Sequence, residues 1–268
     1  MKNFIVLIRR FIYLSIYLHD KLVGENNNLI VLCYHSVGKD NWFYNVGKTE
    51  FENQIKSIMM HYAPIKLSEL FAYLSDKKKL DKPSFVLTFD DGYRDVLSVK
   101  NFLKSKKITP AIFALSNTKG AKRDLLETNR DFLTNKELIE LKNAGWEIGC
   151  HSATHATLSN LKKSELEKEI IMSKINLEKD LSLKINFFAY PKGQYSDRVL
   201  KMVKKSGYKL ALSMDDRLIT KQSNKFKIPR IGVNKTHSLL EFQSLSSPSV
   251  IRFRKFAKPL IGGLYGGI

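Results

Sequence analysis

Short apolar runs alternate with amphipathic stretches along most of the chain. Leu29–Tyr34 is an unbroken apolar run of the length of a buried strand, and Phe85-Val86-Leu87-Thr88-Phe89 repeats the type. Residues 111–115, 146–150, 185–190, 208–213 and 228–233 do so again. Between them lie helical periodicities. Residues 49–61 carry Phe51, Ile55, Ile58 and Met59 behind a capping pattern, Thr49-x-x-Glu52 or its neighbours. Further helices are predicted over 68–74, around Val96, Val99, Phe102 and Leu103, and over 134–144, 164–179 and 196–206. The one over 134–144 opens on Thr134-x-x-Glu137 and stops at Gly145. Repeated strand-then-helix units predict an α/β fold with a parallel sheet and helices outside, most naturally a barrel.

The two ends break this rhythm. In residues 4–18 an apolar sequence is interrupted by Arg9 and Arg10. At 100° per residue Lys2, Arg9, Arg10, Asp20 and Lys21 share one sector, opposite Phe4, Leu7, Ile8, Phe11, Ile12, Leu14 and Leu18. Such a helix either lies in a membrane interface, basic face toward anionic headgroups, or packs on the protein's own core. It lacks the order of a cleavable secretory signal, which favours the cytoplasmic face of an inner membrane. At the other end Arg252, Arg254, Lys255 and Lys258 alternate with Ile251, Phe253, Phe256 and Leu260 before a Gly-rich finish. That is a second membrane contact or a frayed terminus. The expected division is an amphipathic segment 1–28, a barrel 29–235 and a basic tail 236–268.

Charge sharpens the picture. Lys and Arg number 45 against 26 Asp and Glu, a net charge of +19. A surface this basic favours anionic partners such as phospholipid or a phosphate-bearing glycolipid. No helix-turn-helix or aromatic RNA-binding pattern points to nucleic acid. The two cysteines, Cys33 and Cys150, cannot build a disulfide scaffold or a four-thiolate zinc site. Abundant Lys, Asn and Ile suggest an AT-rich bacterial genome.

Reactive residues gather where strands end: Tyr34-His35, Asp90-Asp91-Gly92, His151-Ser152-Ala153-Thr154-His155, Tyr190-Pro191-Lys192-Gly193 and Pro229-Arg230. Asp-Asp-Gly alone makes a turn. His151 and His155, spaced four apart, bring two imidazoles together on a helical turn or a tight loop. With an aspartate they form a set that leaves positions open for water and substrate, as catalytic zinc requires. The spare carboxylate is then placed to accept a proton, which suggests metal-assisted hydrolysis.

Thr88-Phe89-Asp90-Asp91-Gly92-Tyr93, His151-Ser152-Ala153-Thr154-His155 and Phe188-Ala189-Tyr190-Pro191-Lys192-Gly193, in that order, resemble the polysaccharide deacetylases. These are the NodB-homology domains of carbohydrate esterase family four. Tyr34-His35-Ser36-Val37, Lys66-Leu67-Ser68-Glu69-Leu70, Thr109-Pro110-Ala111-Ile112-Phe113 and Ile228-Pro229-Arg230-Ile231 resemble its poly-N-acetylglucosamine deacetylase branch. The resemblance implies a deformed (β/α) barrel that removes the N-acetyl group from an amino sugar of an envelope polysaccharide, or of its lipid-linked precursor, and releases acetate. It implies Asp91, His151 and His155 as ligands of a divalent metal, usually zinc, with Asp90 as general base. The Tyr190 backbone N–H would face the oxyanion, and Tyr190, Pro191 and Gly193 would line the substrate. Many members carry an arginine before the third motif's proline, where this chain has none. Arg230 is the candidate substitute. The late histidine acid motif is indistinct, so His35 is the candidate acid and His237 its alternative. Other acetylated glycans (xylan, chitin, peptidoglycan), or a catalytically idle glycan- or membrane-binding barrel, are the competing expectations.

Overall fold

The protein is described here from a computed structural model covering residues 2–261, with side chains from 5 to 257. The Lys2, Phe4, Lys258 and Leu260 side chains and the Gly-rich stretch 262–268 lie outside the described residues. The strands are β1 (Leu29–Tyr34), β2 (Ser36–Val37), β3 (Asn45–Val46), β4 (Ala63–Pro64) and β5 (Ser84–Phe89). They continue with β6 (Ala111–Ala114), β7 (Glu147–Cys150), β8 (Phe187–Ala189), β9 (Leu210–Leu212) and β10 (Ile231–Gly232). The main sheet is parallel and runs β10-β1-β5-β6-β7-β8-β9, with β4 sharing an edge of β5. It curls until the far edges meet. Residues 225–228 bond β9, where Ala211 N–H donates to Lys225 O and Ser213 N–H to Ile228 O, both at 2.8 Å. The same segment then joins β1 as β10. Pro229, with no N–H to give, stands at the break. This is a deformed (β/α) barrel, as expected.

Strand parity sorts the core into two layers. Leu29, Val31, Val86, Ala111, Phe113, Phe187, Ala189, Leu210 and Leu212 cluster inside the barrel. Their alternates, including Ile30, Leu32, Phe85, Leu87, Phe89, Phe188 and Tyr190, pack outward against helices. Gly149 is small of necessity: a Cβ there would lie 2.4 Å from the Phe113 ring. The helix Leu67–Leu74 adds Leu67, Leu70 and Leu74 to the inner cluster. It crosses the N-terminal ends of the strands, where Glu147 at the start of β7 accepts from the Leu67 N–H (2.6 Å). The C-terminal ends stay open.

Some expected elements shift for physical reasons. The helix Lys48–Ile58 starts on Gly47 without a side-chain cap, so the expected Thr49–Glu52 box is not used. The Thr134–Glu137 box forms as expected. The helix expected over 164–179 spans Lys163–Glu167 and Ser173–Leu181, joined by a π-turn at Lys168–Met172.

Both ends differ more. The tail is not frayed over the described residues. It forms the helices Leu239–Ser244 and Pro248–Ile261, which pack on the N-terminal helix Lys2–Val23. That N-terminal helix is reversed relative to expectation. Within its charged sector Arg9 and Asp20 face the protein: Arg9 donates to Glu241 at 2.6 Å, and Asp20 accepts from Ser249 N–H at 3.0 Å and from Ser247 Oγ, while Lys21 is exposed. Leu7, Ile8, Phe11 and Leu18, from the apolar side, are exposed. Among the described residues no helix is long and apolar enough to cross a membrane.

Glu241 is buried, and both Arg9 and Arg10 contact its two oxygens. Removing one partner of a buried ion pair strands the other. Glu241→Ala is therefore expected to lower unfolding free energy by about 3 kcal/mol. Urea denaturation checks this, and a change of a few tenths of a kcal/mol would contradict it.

Candidate active site

Asp90 follows β5 with the inward parity of Val86 and Thr88, and His35 follows β1 with that of Val31 and Cys33. His151 leaves β7 beside them. Asp91, at φ +66°, turns its side chain back toward the same point. Together with His155 these residues floor a cleft of about 290 Å³, also lined by Trp42, Tyr44 and Lys192.

Asp90 is nearly buried and gripped on both oxygens by Arg230. Nη1 donates to Oδ1 at 2.7 Å and Nη2 to Oδ2 at 2.6 Å. Burial opposes ionisation of Asp90, but the guanidinium outweighs it and holds the carboxyl below the ordinary carboxylate range. Burial also works against the charge of Arg230, and Asp90 raises its pKa above the usual value. Arg230 comes from the closing segment beside β10, so the last strand supplies the partner that motif three lacks.

Asp91, His151 and His155 converge. Asp91 Oδ1 lies 3.3 Å from His151 Nε2 and 3.4 Å from His155 Nε2. The two histidines share a tight loop, not a helical turn, since Ser152 and His155 adopt φ +70° and +63°. His151 Nδ1 lies 2.8 Å from the Ala189 carbonyl, which can only accept. The proton is thereby assigned to Nδ1, and the Nε2 lone pair faces Asp91. Burial raises the Asp91 pKa, but attraction to the positively charged forms of His155 and His151, the place a bound cation would take, outweighs it and brings it below the carboxylate range. Burial pushes His155 down to about 4, so it is neutral near pH 7. Asp91 Oδ1 is buried without a satisfying hydrogen bond. An orphaned buried oxygen facing imidazole nitrogens, all within 4.8 Å of one another, fits a cation and not a proton network.

The loop that carries these histidines is held from outside the barrel. Glu169, on the π-turn, accepts from the Ala153 and Thr154 N–H groups, both at 2.9 Å, and from Thr154 Oγ1 at 2.6 Å. Ser152 Oγ accepts the His155 N–H at 3.1 Å. The cleft wall is likewise braced: the Arg130 guanidinium lies 4.6 Å over the Trp42 ring and bonds Asp95 at 3.0 Å. Neither Glu169 nor Trp42 carries a sequence signal of its role. Aromatic content near His35 is the nearest clue, and it is weak.

Other expected residues fall elsewhere. Tyr190 has outward parity; its ring is buried and its hydroxyl donates to Phe226 O at 3.0 Å. The Tyr190 N–H donates to Leu212 O at 3.1 Å in the β8–β9 ladder, so it is unavailable to an oxyanion. Pro191 is buried and does not line the cleft, whereas Gly193 does. A Cβ on Gly193, at φ +65°, would lie 2.3 Å from the Met214 side chain. Lys192 also lines the cleft, and its N–H, second in a 3-10 turn, has no helical acceptor. His35 reaches the cleft within 4.8 Å of the Cys33 and Asp90 reactive atoms. His237 lies behind it, its Nδ1 accepting the Asn234 N–H at 3.1 Å. Cys33 and Cys150 are free and buried.

Fold and site together define a family. The model described as polysaccharide deacetylase matches residues 77–211, and the chain belongs to the polysaccharide deacetylase family. It is 31% identical over 242 residues to the poly-β-1,6-N-acetyl-D-glucosamine N-deacetylase of Staphylococcus aureus, covering 80% of this chain and 81% of that one. Among solved structures it resembles the Streptococcus pyogenes deacetylase PplD (TM-score 0.71, 22% identity, 82% and 98% coverage). It also resembles IcaB from Ammonifex degensii (TM-score 0.69, 20% identity, 83% and 99% coverage). The last two likenesses concern the fold alone.

If Glu169 fixes the ligand loop, Glu169→Ala should weaken zinc binding by about tenfold or more. Competition with a chromogenic chelator measures this. Unchanged affinity would assign Glu169 to stability only.

Proposed function

We propose that this protein is a metal-dependent deacetylase of an N-acetylglucosamine polymer of the bacterial envelope, cleaving the acetamide to a free amine and acetate. One observation carries the reading: an ionised Asp90, clamped by Arg230, stands beside the converging Asp91, His151 and His155 at the floor of an open cleft. The S. aureus relative, matched over most of both chains, supports the β-1,6-linked glucosamine polymer as substrate.

Asp91, His151 and His155 would hold the cation, with zinc suited to one carboxylate and two imidazoles. When bound, such an ion polarises a carbonyl and lowers the pKa of water. Asp90 takes the proton from the attacking water. Arg230 holds Asp90 in orientation and keeps it ionised, so the base is ready below neutral pH. Charge developing on the acetamide oxygen meets the Lys192 N–H, which replaces the expected Tyr190 donor. The proton that Asp90 takes from water returns to the departing amine through His35, which lies within 4.8 Å of the Asp90 carboxylate and accepts it before passing it on. Burial lowers the His35 pKa, which makes its charged form a stronger acid. Trp42 and Tyr44 line the cleft beside His35, where the sugar would lie.

The proposal is tested by acetate release from soluble β-1,6-linked N-acetylglucosamine oligomers. Zinc-loaded protein should release acetate, and Asp90→Asn should lose at least about a hundredfold in kcat while retaining its metal. No acetate from the loaded wild type would overturn the reading, and an unaffected Asp90→Asn would displace the base.

A further inference from the structure

The N-terminal helix Lys2–Val23 packs Tyr13, Ile12 and Ile16 on the core, yet it also buries charge and exposes a second apolar stripe. Leu7, Phe11, Leu18 and Leu22, at helical spacing, form one outward stripe and are 59, 73, 53 and 87% exposed. The opposite face buries Arg9 and Asp20 against the protein. A helix at a water-facing surface shows the reverse arrangement. The charges already have partners in the body, so the helix cannot roll to hide its leucines without breaking the Glu241 and Ser247 contacts. Its apolar stripe is therefore held outward.

We infer that this stripe seats in the interface of an anionic lipid bilayer. The inference is independent of the proposed reaction. Charge selects the occupant. Lys21 is exposed at the edge of the stripe, and Arg10, though bonded to Glu241, keeps 40% of its side chain accessible. The adjoining helix Pro248–Ile261 exposes Phe256 at 72%, next to exposed Lys255 and to Arg252, which pairs with Glu25. No acid occurs from residue 242 onward. A second copy would oppose +19 with +19, whereas acidic headgroups complement it. The helix is too charged to cross a membrane, which leaves it lying along the surface. Arg9 and Tyr13, on its inner face, line a small cavity whose other walls include His35 and Tyr44. Seating on lipid thus brings the cleft close to the headgroups, where a membrane-proximal glycan emerges.

The test is co-sedimentation of the full chain with phosphatidylcholine vesicles, plain or containing about a quarter phosphatidylglycerol. Binding is expected to the anionic vesicles only and to fall with salt. Phe11→Ser/Leu18→Ser should weaken it about tenfold or more, with circular dichroism and zinc binding unchanged. Phe11→Trp, a milder change, should gain fluorescence that brominated acyl chains quench. Three results would overturn the inference: no vesicle binding by the wild type, equal binding by the double variant, or a dimer in sedimentation that the double variant dissolves.

Discussion

Two neighbouring carboxylates, Asp90 and Asp91, are buried side by side and both held ionised. Left alone, one of them would take up a proton, because close like charges in a low-dielectric setting raise a pKa. The protein separates the two problems. Asp90 is neutralised by a guanidinium that bonds both its oxygens, while Asp91 lies against the His151 and His155 ring nitrogens, where positive charge is favoured, and keeps an oxygen unsatisfied. One carboxylate is thereby reserved for proton transfer and the other for a cation. The barrel's parallel strands, ending together on one rim, make this division possible.

Much of this was legible in the chain. Alternation of apolar runs and amphipathic stretches exposed the barrel, and reading only strand ends isolated Asp90, Asp91, His151 and His155. Parity explains where that method stopped. Tyr190 sits in the right motif, yet the step from Ala189 turns it outward, and its N–H belongs to the ladder with β9. Two residues along, past Pro191 with no N–H to offer, the backbone has left the sheet and the Lys192 donor is free. A motif names the neighbourhood, but which atom faces the cleft depends on hydrogen bonds to a strand distant in sequence.

The N-terminal helix shows the same boundary at larger scale. Its two-sided pattern was plain, but which side faces inward depended on Glu241 and Ser247, more than 220 residues away. No periodicity carries that information. Glu169 is similar. It reads as one more acid on a lysine-rich amphipathic helix, and only the π-turn, which re-aims it, makes it the support of the ligand loop.

The closing segment around Pro229 both completes the sheet and delivers Arg230 to Asp90, 140 residues earlier. Sheet closure and charge compensation are thus a single event. A ribosome releases this polypeptide from its amino end, so the aspartate emerges long before its counterion. Until the final strand docks, the nascent rim holds uncompensated negative charge, and the leading helix also waits for Glu241. The protein acquires a competent centre only once the segment carrying Arg230 has been made and has docked against β1.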